Sequence, residues 1–221
     1  MRILELTLPS TNLSAQAETF GARLGFDVDQ LNEDHLRIEA GLTRLNFVRS
    51  DRQYPFHYCF LIPPGSILSA CQFLDERDFQ PLLFNDQRVV DFGNGKAVYF
   101  YDGDNNIAEF IERPSLGHPE KLDFSIGDVI RINEIGLPAE NPIEQAESLV
   151  RRYGIEFATD AVYREDFVWC GDYEGVFLIP RIGRHWMPTE IGAESNELSV
   201  RFETVEGQFE LNLMNTESVI E

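Results

Sequence analysis

Cysteine is scarce in this chain. Cys59, Cys71 and Cys170 are the three in 221 residues, and they are widely spaced with no CxxC pair. That odd, scattered set argues against a disulfide framework and for a reducing, cytoplasmic setting. Positive charge is also short: 18 Lys and Arg face 38 Asp and Glu, a formal net charge of −20. Such a chain repels phosphate backbones and anionic bilayers alike. Nucleic-acid and membrane partners are therefore not expected, and a small molecule is. The acidity itself serves solubility. No run of about 18 apolar residues occurs, so no segment is expected to span a bilayer. The opening MRILELTLPS is too short and too polar for a signal peptide. Walker, GxGxxG and GxSxG loops are missing too, which removes the usual supports for nucleotide binding and α/β-hydrolase chemistry.

What is present is apolar and repetitive. The chain is 43% hydrophobic and 12% aromatic, with 17 Phe, enough for one large domain or two small ones with real cores. Residues 3–8 alternate, with Leu4, Leu6 and Leu8 on one strand face and Ile3, Glu5 and Thr7 on the other. Thr11 or Asn12 can cap a helix to about Leu24, which Gly25 stops. FDVDQL, HLRIEA and TRLNFVRS then read as three strands. The order repeats with FHYCFLI, a helix from about Ser66 to Arg77, strands near 81–84 and 88–90, and strands at 97–101 and 107–112. PSLGHPEKLD has a linker's composition. The first unit then returns as INEIGLPAENP from Ile132, with Asn141 and Pro142 opening a helix and strands near 155–157, 167–170 and 176–180. ELSVRFE and a strand near 208–213 form a fourth unit lacking its middle. The expected fold is α+β, built from repeated β-α-β-β-β units that form cupped mixed sheets with helices outside. The expected division is residues 1–114 as a first domain holding the site, 115–127 as a linker, and 128–221 as a truncated, degenerate second domain.

The hairpin KAVYFYDGDNNIAEFIER poses the chemical question. Glu109 shares a strand face with Ile107 and Ile111, and a carboxylate there is costly to bury unless something pairs with it. If the first two units form one cup, strand parity points Glu5, His57, Cys59 and Glu109 inward. Asn46 then occupies in the first unit the place that Glu109 holds in the second, with Arg44 on its face.

This arrangement, and YFYDGDNNIAE from Tyr99 to Glu109 above all, resembles the vicinal-oxygen-chelate superfamily of glyoxalases, bleomycin resistance proteins and extradiol dioxygenases. The superfamily's hairpin commonly reads YFxDPDGNxxE. Gly103 here replaces its proline and Asn105 its glycine, and Asn tolerates the left-handed conformation such a turn needs. The resemblance implies a divalent metal in the cup (Zn, Ni, Mn or Fe) held by Glu5, His57 and Glu109, with Asn46 as a weak fourth ligand. It implies Glu109 and Glu5 as catalytic carboxylates, and Arg44, Tyr99 and Tyr101 are candidates to contact substrate. The implied activity is that of a glyoxalase-like lyase or isomerase, acting on a small oxygenated metabolite through an enediolate that the metal stabilises. An Fe(II) ring-cleaving dioxygenase and a non-enzymatic, resistance-type binder are the alternatives.

In the C-terminal copy Glu134 aligns with Glu5, Glu197 with His57 and Glu210 with Glu109, while Leu178 stands near the place of Asn46. No histidine converges there, so the copy reads as a structural partner, a lid or an interface. RIGRHWMP at 181–188 stays open between a surface loop and a loop that reaches over a pocket as an anion clamp. Cys59 beside His57 on one strand face is not the geometry of a nucleophile pair. Whether the units pair within the chain or across a homodimer is likewise open.

Overall fold

The structure is a computed structural model and describes residues 1–214. The first unit runs β1 (Arg2–Ser10), α1 (Leu13–Ala17, continued as a π-helical segment Glu18–Leu24), β2 (Val28–Asn32), β3 (His35–Ala40) and β4 (Thr43–Arg49). Asn12 caps α1 by accepting a hydrogen bond from the Ala15 amide, and Gly25 ends the helical run in the left-handed conformation at φ 87°. The second unit is β5 (His57–Ile62), α2 (Ile67–Asp75), β6 (Val90–Asp91), β7 (Lys96–Tyr101) and β8 (Ile107–Glu112). The third is β9 (Arg131–Gly136), α3 (Pro142–Tyr153), β10 (Tyr163–Arg164), β11 (Phe167–Asp172) and β12 (Gly175–Pro180). The hairpin of β13 (Ser199–Thr204) and β14 (Gly207–Asn212) is what remains of the fourth. Residues 81–84 and 155–157 are not strands; around the first, only the single bridges Leu82 to Tyr99 and Phe84 to Gln87 form.

The fold is α+β with two mixed sheets, as the repeats predict, but the units pair differently. One sheet has the order β14-β13-β1-β4-β3-β2 and joins the first unit to the fourth. The other has the order β10-β11-β12-β9-β5-β8-β7-β6 and joins the second to the third. The junctions are antiparallel pairs of unit-opening strands, β5 beside β9 and β1 beside β13. The expected break between residues 114 and 128 therefore does not coincide with the sheets, because each sheet draws on both sides of it within one chain.

Helix α1 packs on β3 and β4, α2 on β7 and β8, and α3 on β11 and β12. A continuous apolar core links the two sheets: the Phe20 ring lies 5.6 Å from Phe47 on β4 and 6.3 Å from Phe60 on β5. The leucine face of β1 is modified by a register shift against β13 between Ile3 and Glu5. Ile3 turns into the core and Leu4 is half-buried.

The turn of the β7–β8 hairpin is tied down by buried polar groups. The Asp102 carboxylate accepts hydrogen bonds from Tyr58 Oη (2.7 Å), Gln16 Nε2 (2.9 Å) and the Asn106 amide (2.8 Å). Asn105 adopts φ 61°, as its place in the turn requires. Gly103 is needed for a different reason: a Cβ there would stand 2.4 Å from the Ala15 backbone. No helix among the described residues is long and apolar enough to cross a membrane.

Candidate metal centre

The eight-stranded sheet is covered on both faces. All residues of β5, β8, β9 and β12 are buried. On β5, Tyr58, Phe60 and Ile62 enter the main core, while Cys59 and Leu61 join a second apolar cluster on the opposite face with Tyr99, Ile107, Ile111, Trp169 and Trp186. Cross-strand register builds the site on that second face. Cys59 on β5 pairs with Glu109 on β8 to one side and with Glu134 on β9 to the other. His57 stands two residues before Cys59 and so rises on the same face, one step along the strand.

The result is a compact group. His57 Nε2 lies 3.3 Å from Glu109 Oε2 and 3.9 Å from Glu134 Oε2. One ligating atom from each of the three residues lies within 4.8 Å of the others, and no other such group of three occurs among the described residues. Arg113, itself buried, donates Nε to Asn133 Oδ1 at 2.8 Å and a terminal nitrogen to Glu134 Oε1. Glu134 is thus held by one oxygen and offers the other to the group.

The electrostatics follow from burial and pairing. Burial disfavours a charged His57, but hydrogen bonding and attraction from Glu109 and Glu134 outweigh it and raise its pKa to about 9. Burial, together with the Glu134 charge, pushes the Glu109 carboxyl above its ordinary value, against the pull of His57. Burial acts upward on Glu134 too, yet His57 and Arg113 hold it below the ordinary carboxylate range.

Two tests of metal fit can be made on these residues. Bonds of about 2.1 Å separate two ligands of one ion by at most roughly 4.2 Å, and both His57–carboxylate distances fall inside that limit. The donor set, one imidazole nitrogen and two carboxylate oxygens, suits a first-row divalent ion. The residues fit such an ion, which His57, Glu109 and Glu134 would hold, their ligating atoms all lying within 4.8 Å of one another.

The structure brings His57 and Glu109 together on one face, as strand parity predicts, but the carboxylate that joins them is Glu134 of β9 and not Glu5. Glu5 and Asn46 are not in this group; they lie on the six-stranded sheet. There Asn46 donates Nδ2 to Glu5 Oε1 at 3.0 Å, and Arg201 donates to Glu5 Oε2 at 3.0 Å. Arg44 is on that sheet as well, half-exposed and 3.7 Å from Glu39. His35 opens β3 and lies against Asn46 Oδ1 at 3.1 Å. The physical reason is the sheet pairing: β9, not β1, is the neighbour of β5. Glu134 was visible as the residue aligned with Glu5, but its partner unit was not. Glu197 and Glu210 do not converge with it, and Glu210 accepts a hydrogen bond from Ser199 at 3.0 Å.

Above the group lies a cavity of about 410 Å³. Tyr99 lines it together with Phe92, Phe167, Trp169 and Trp186; Tyr101 on the same strand does not. The loop at 181–188 is not a surface loop. Its Trp186 is buried, with its ring 5.4 Å from that of His57, and Arg184 and Met187 also line the cavity. Gly136 makes room for the indole, since a Cβ there would stand 2.5 Å from the Trp186 ring.

No protein-family model matches the chain, and no curated protein matches it significantly. Similarity appears among solved structures. A "putative dioxygenase" from Bacillus subtilis superposes with a TM-score of 0.63 at 17% identity, over 94% of this chain and 72% of that one. A glyoxalase/bleomycin resistance protein/dioxygenase from Alicyclobacillus acidocaldarius covers 50% of this chain and 90% of its own, at 17% identity and a TM-score of 0.41. A lactoylglutathione lyase from Agrobacterium tumefaciens matches 50% of this chain and 92% of its own, at 17% identity and a TM-score of 0.41. The superposition over 94% of this chain shows that it shares the fold of the Bacillus subtilis structure, here built from paired β-α-β-β-β units.

Proposed function

We propose that the protein is a metal-dependent enzyme of glyoxalase type, a lyase or isomerase acting on a small oxygenated metabolite. The observation that carries this reading is the buried His57–Glu109–Glu134 group at the floor of a mostly apolar cavity. A divalent ion bound there supplies Lewis acidity toward vicinal oxygens of the substrate. The chain's own residues do the rest. Arg113 fixes Glu134 through one oxygen and balances its charge. Glu109, whose carboxyl burial and Glu134 push upward, takes and returns a proton at the carbon beside the substrate carbonyl through its second oxygen. Trp186 and Tyr99 flank the imidazole and exclude water, which strengthens every charge interaction inside.

The metal and the reaction are tested separately. Purified protein dialysed against Zn, Ni, Mn or Fe(II) is expected to retain one equivalent, and His57→Ala to lose it. Retention of tightly bound metal by His57→Ala sinks the site. The loaded protein is then expected to exchange the C–H beside a carbonyl for deuterium in small α-hydroxycarbonyl compounds, read by NMR. Exchange no faster than the uncatalysed rate, combined with oxygen uptake on catechols by the Fe(II) form, would replace this reading with ring cleavage. Neither reaction by any loaded form would leave a binding protein.

A further inference from the structure

The cavity above the metal group has a charge pattern at odds with the rest of the chain. In a protein of net charge −20, the charged residues of the cavity wall outside the His57 group are three arginines: Arg113, Arg164 and Arg184. The acidic residues of the wall are Glu109 and Glu134, both already engaged with His57 and Arg113. Arg113 balances Glu134 and binds Asn133 through Nε and Nη2, which leaves its buried Nη1 without a partner. Arg164 and Arg184 are not matched in the same way, because both turn to one carboxylate. Asp166 lies 3.4 Å from Arg164 Nε and 3.2 Å from Arg184 Nε. One positive charge is left over where these residues meet the cavity.

Arg184 is the better placed of the two. Its guanidinium carbon sits 4.6 Å from the centre of the Phe167 ring, which holds the plane in place. Apart from Nε on Asp166, it makes one long contact, from Nη1 to the His185 carbonyl at 3.5 Å. Among the described residues Nη2 has no partner. A second observation points the same way. Trp169 and Trp186 also line the cavity, and both buried indole N–H groups lack an acceptor. Unpaired buried donors are uncommon and cost free energy, and a ligand that brings acceptor oxygens relieves them. The wall therefore has surplus donors and surplus positive charge, in a cavity lined otherwise mostly by apolar side chains.

We infer that the substrate is a small organic acid, with a carboxylate or similar anion received by Arg184 with Arg164 beside it, and an apolar body along the Trp169 and Trp186 walls. That its other end presents vicinal oxygens to the floor rests on the metal reading above; the anionic end does not. The focused positive charge draws such acids into a molecule whose remaining surface repels them.

The test is equilibrium binding by calorimetry of two compounds of similar size, 3,4-dihydroxybenzoate and neutral 4-methylcatechol. Both are measured on the zinc-loaded protein, where zinc performs no redox chemistry, and on the metal-free protein. The acid is expected to bind about tenfold tighter or better, as one charge-assisted hydrogen-bond pair implies. Arg184→Gln is expected to close the gap to within about threefold, Arg184→Lys to keep most of it, and Arg164→Gln to shrink it less. Equal affinity for the two compounds, no binding of the acid, or a gap that Arg184→Gln leaves intact overturns the inference. If the protein holds no zinc, the metal reading fails alone, and the gap in the metal-free arm still decides this one.

Discussion

The two sheets carry the same repeated unit and end in opposite states. On the eight-stranded sheet, the face away from the main core is roofed by the loop around Trp186 and by Trp169, so the carboxylates there are buried at the floor of the cavity. On the six-stranded sheet, the equivalent polar row of Glu5 and Asn46 is open at the edges. Glu5 keeps 22% of its side chain exposed, and Arg201 keeps 48%. There every group answers another: Asn46 bridges His35, Arg37 and Glu5, and Arg201 closes the chain. In the covered face, His57 and two carboxylates meet with a nitrogen to spare, and His57 Nδ1 has no partner. Similar residue types thus give a solvated hydrogen-bond network in one sheet and a candidate metal site in the other. The difference is the roof, which Trp169 of the third unit and the loop that follows that unit supply.

That comparison is broken most directly by exchanging one carboxylate for its amide on each sheet. Glu134→Gln is expected to weaken zinc or nickel binding by a hundredfold or more, whereas Glu5→Gln leaves it unchanged, measured by competition with a fluorescent chelator. An equal loss in both variants would mean that the sheets are not the distinct environments described.

Stability provides the next contrast. Arg113→Met strips the buried Glu134 of its guanidinium, and loss of one partner from a buried pair costs about 3–5 kcal/mol. Arg201→Met removes the partner of Glu5, where exposed pairs contribute about 0–1 kcal/mol. Urea midpoints of the metal-free proteins check this. Added zinc should recover part of the Arg113→Met loss, since a cation restores positive charge beside Glu134.

The smallest effect is a proton count. In the metal-free protein His57 titrates near a pKa of about 9, so at pH 7 it carries a proton that a metal must displace. Calorimetry in buffers of different ionisation enthalpy is expected to report close to one proton released per metal at pH 7, falling as pH rises through about 9. The same shift has a stability consequence. The folded value lies above the unfolded value of about 6.5, so this group's contribution to the metal-free fold is complete below about pH 6.5 and is lost as pH rises through about 9. His35 on the other sheet has no comparable carboxylate pair, so His57→Gln should remove the effect and His35→Gln should not.

Much of the fold was legible in the chain because it is local. Strand alternation, the Asn12, Asn141 and Gly25 punctuation, and the return of ILELTLP as INEIGLP depend on neighbours within a few residues. Parity on a strand is equally local, which is why the sequence alone turns His57 and Glu109 to one face. Alternation also identified Glu134 as a polar residue at the Glu5 position. What local pattern could not supply was the identity of the neighbouring strand. β5 can accept either β1 or β9 at its free edge without changing a single alternation, and in the folded chain it is β9 that pairs there. That choice alone substitutes Glu134 for Glu5. It also brings Arg113 against β9 and lowers the 181–188 loop over His57. The face a residue takes on its strand is set by the backbone's two-residue period and can be read along the chain; its partners are set by which apolar surfaces the folded chain buries together, and so His57 meets Glu134 and not Glu5.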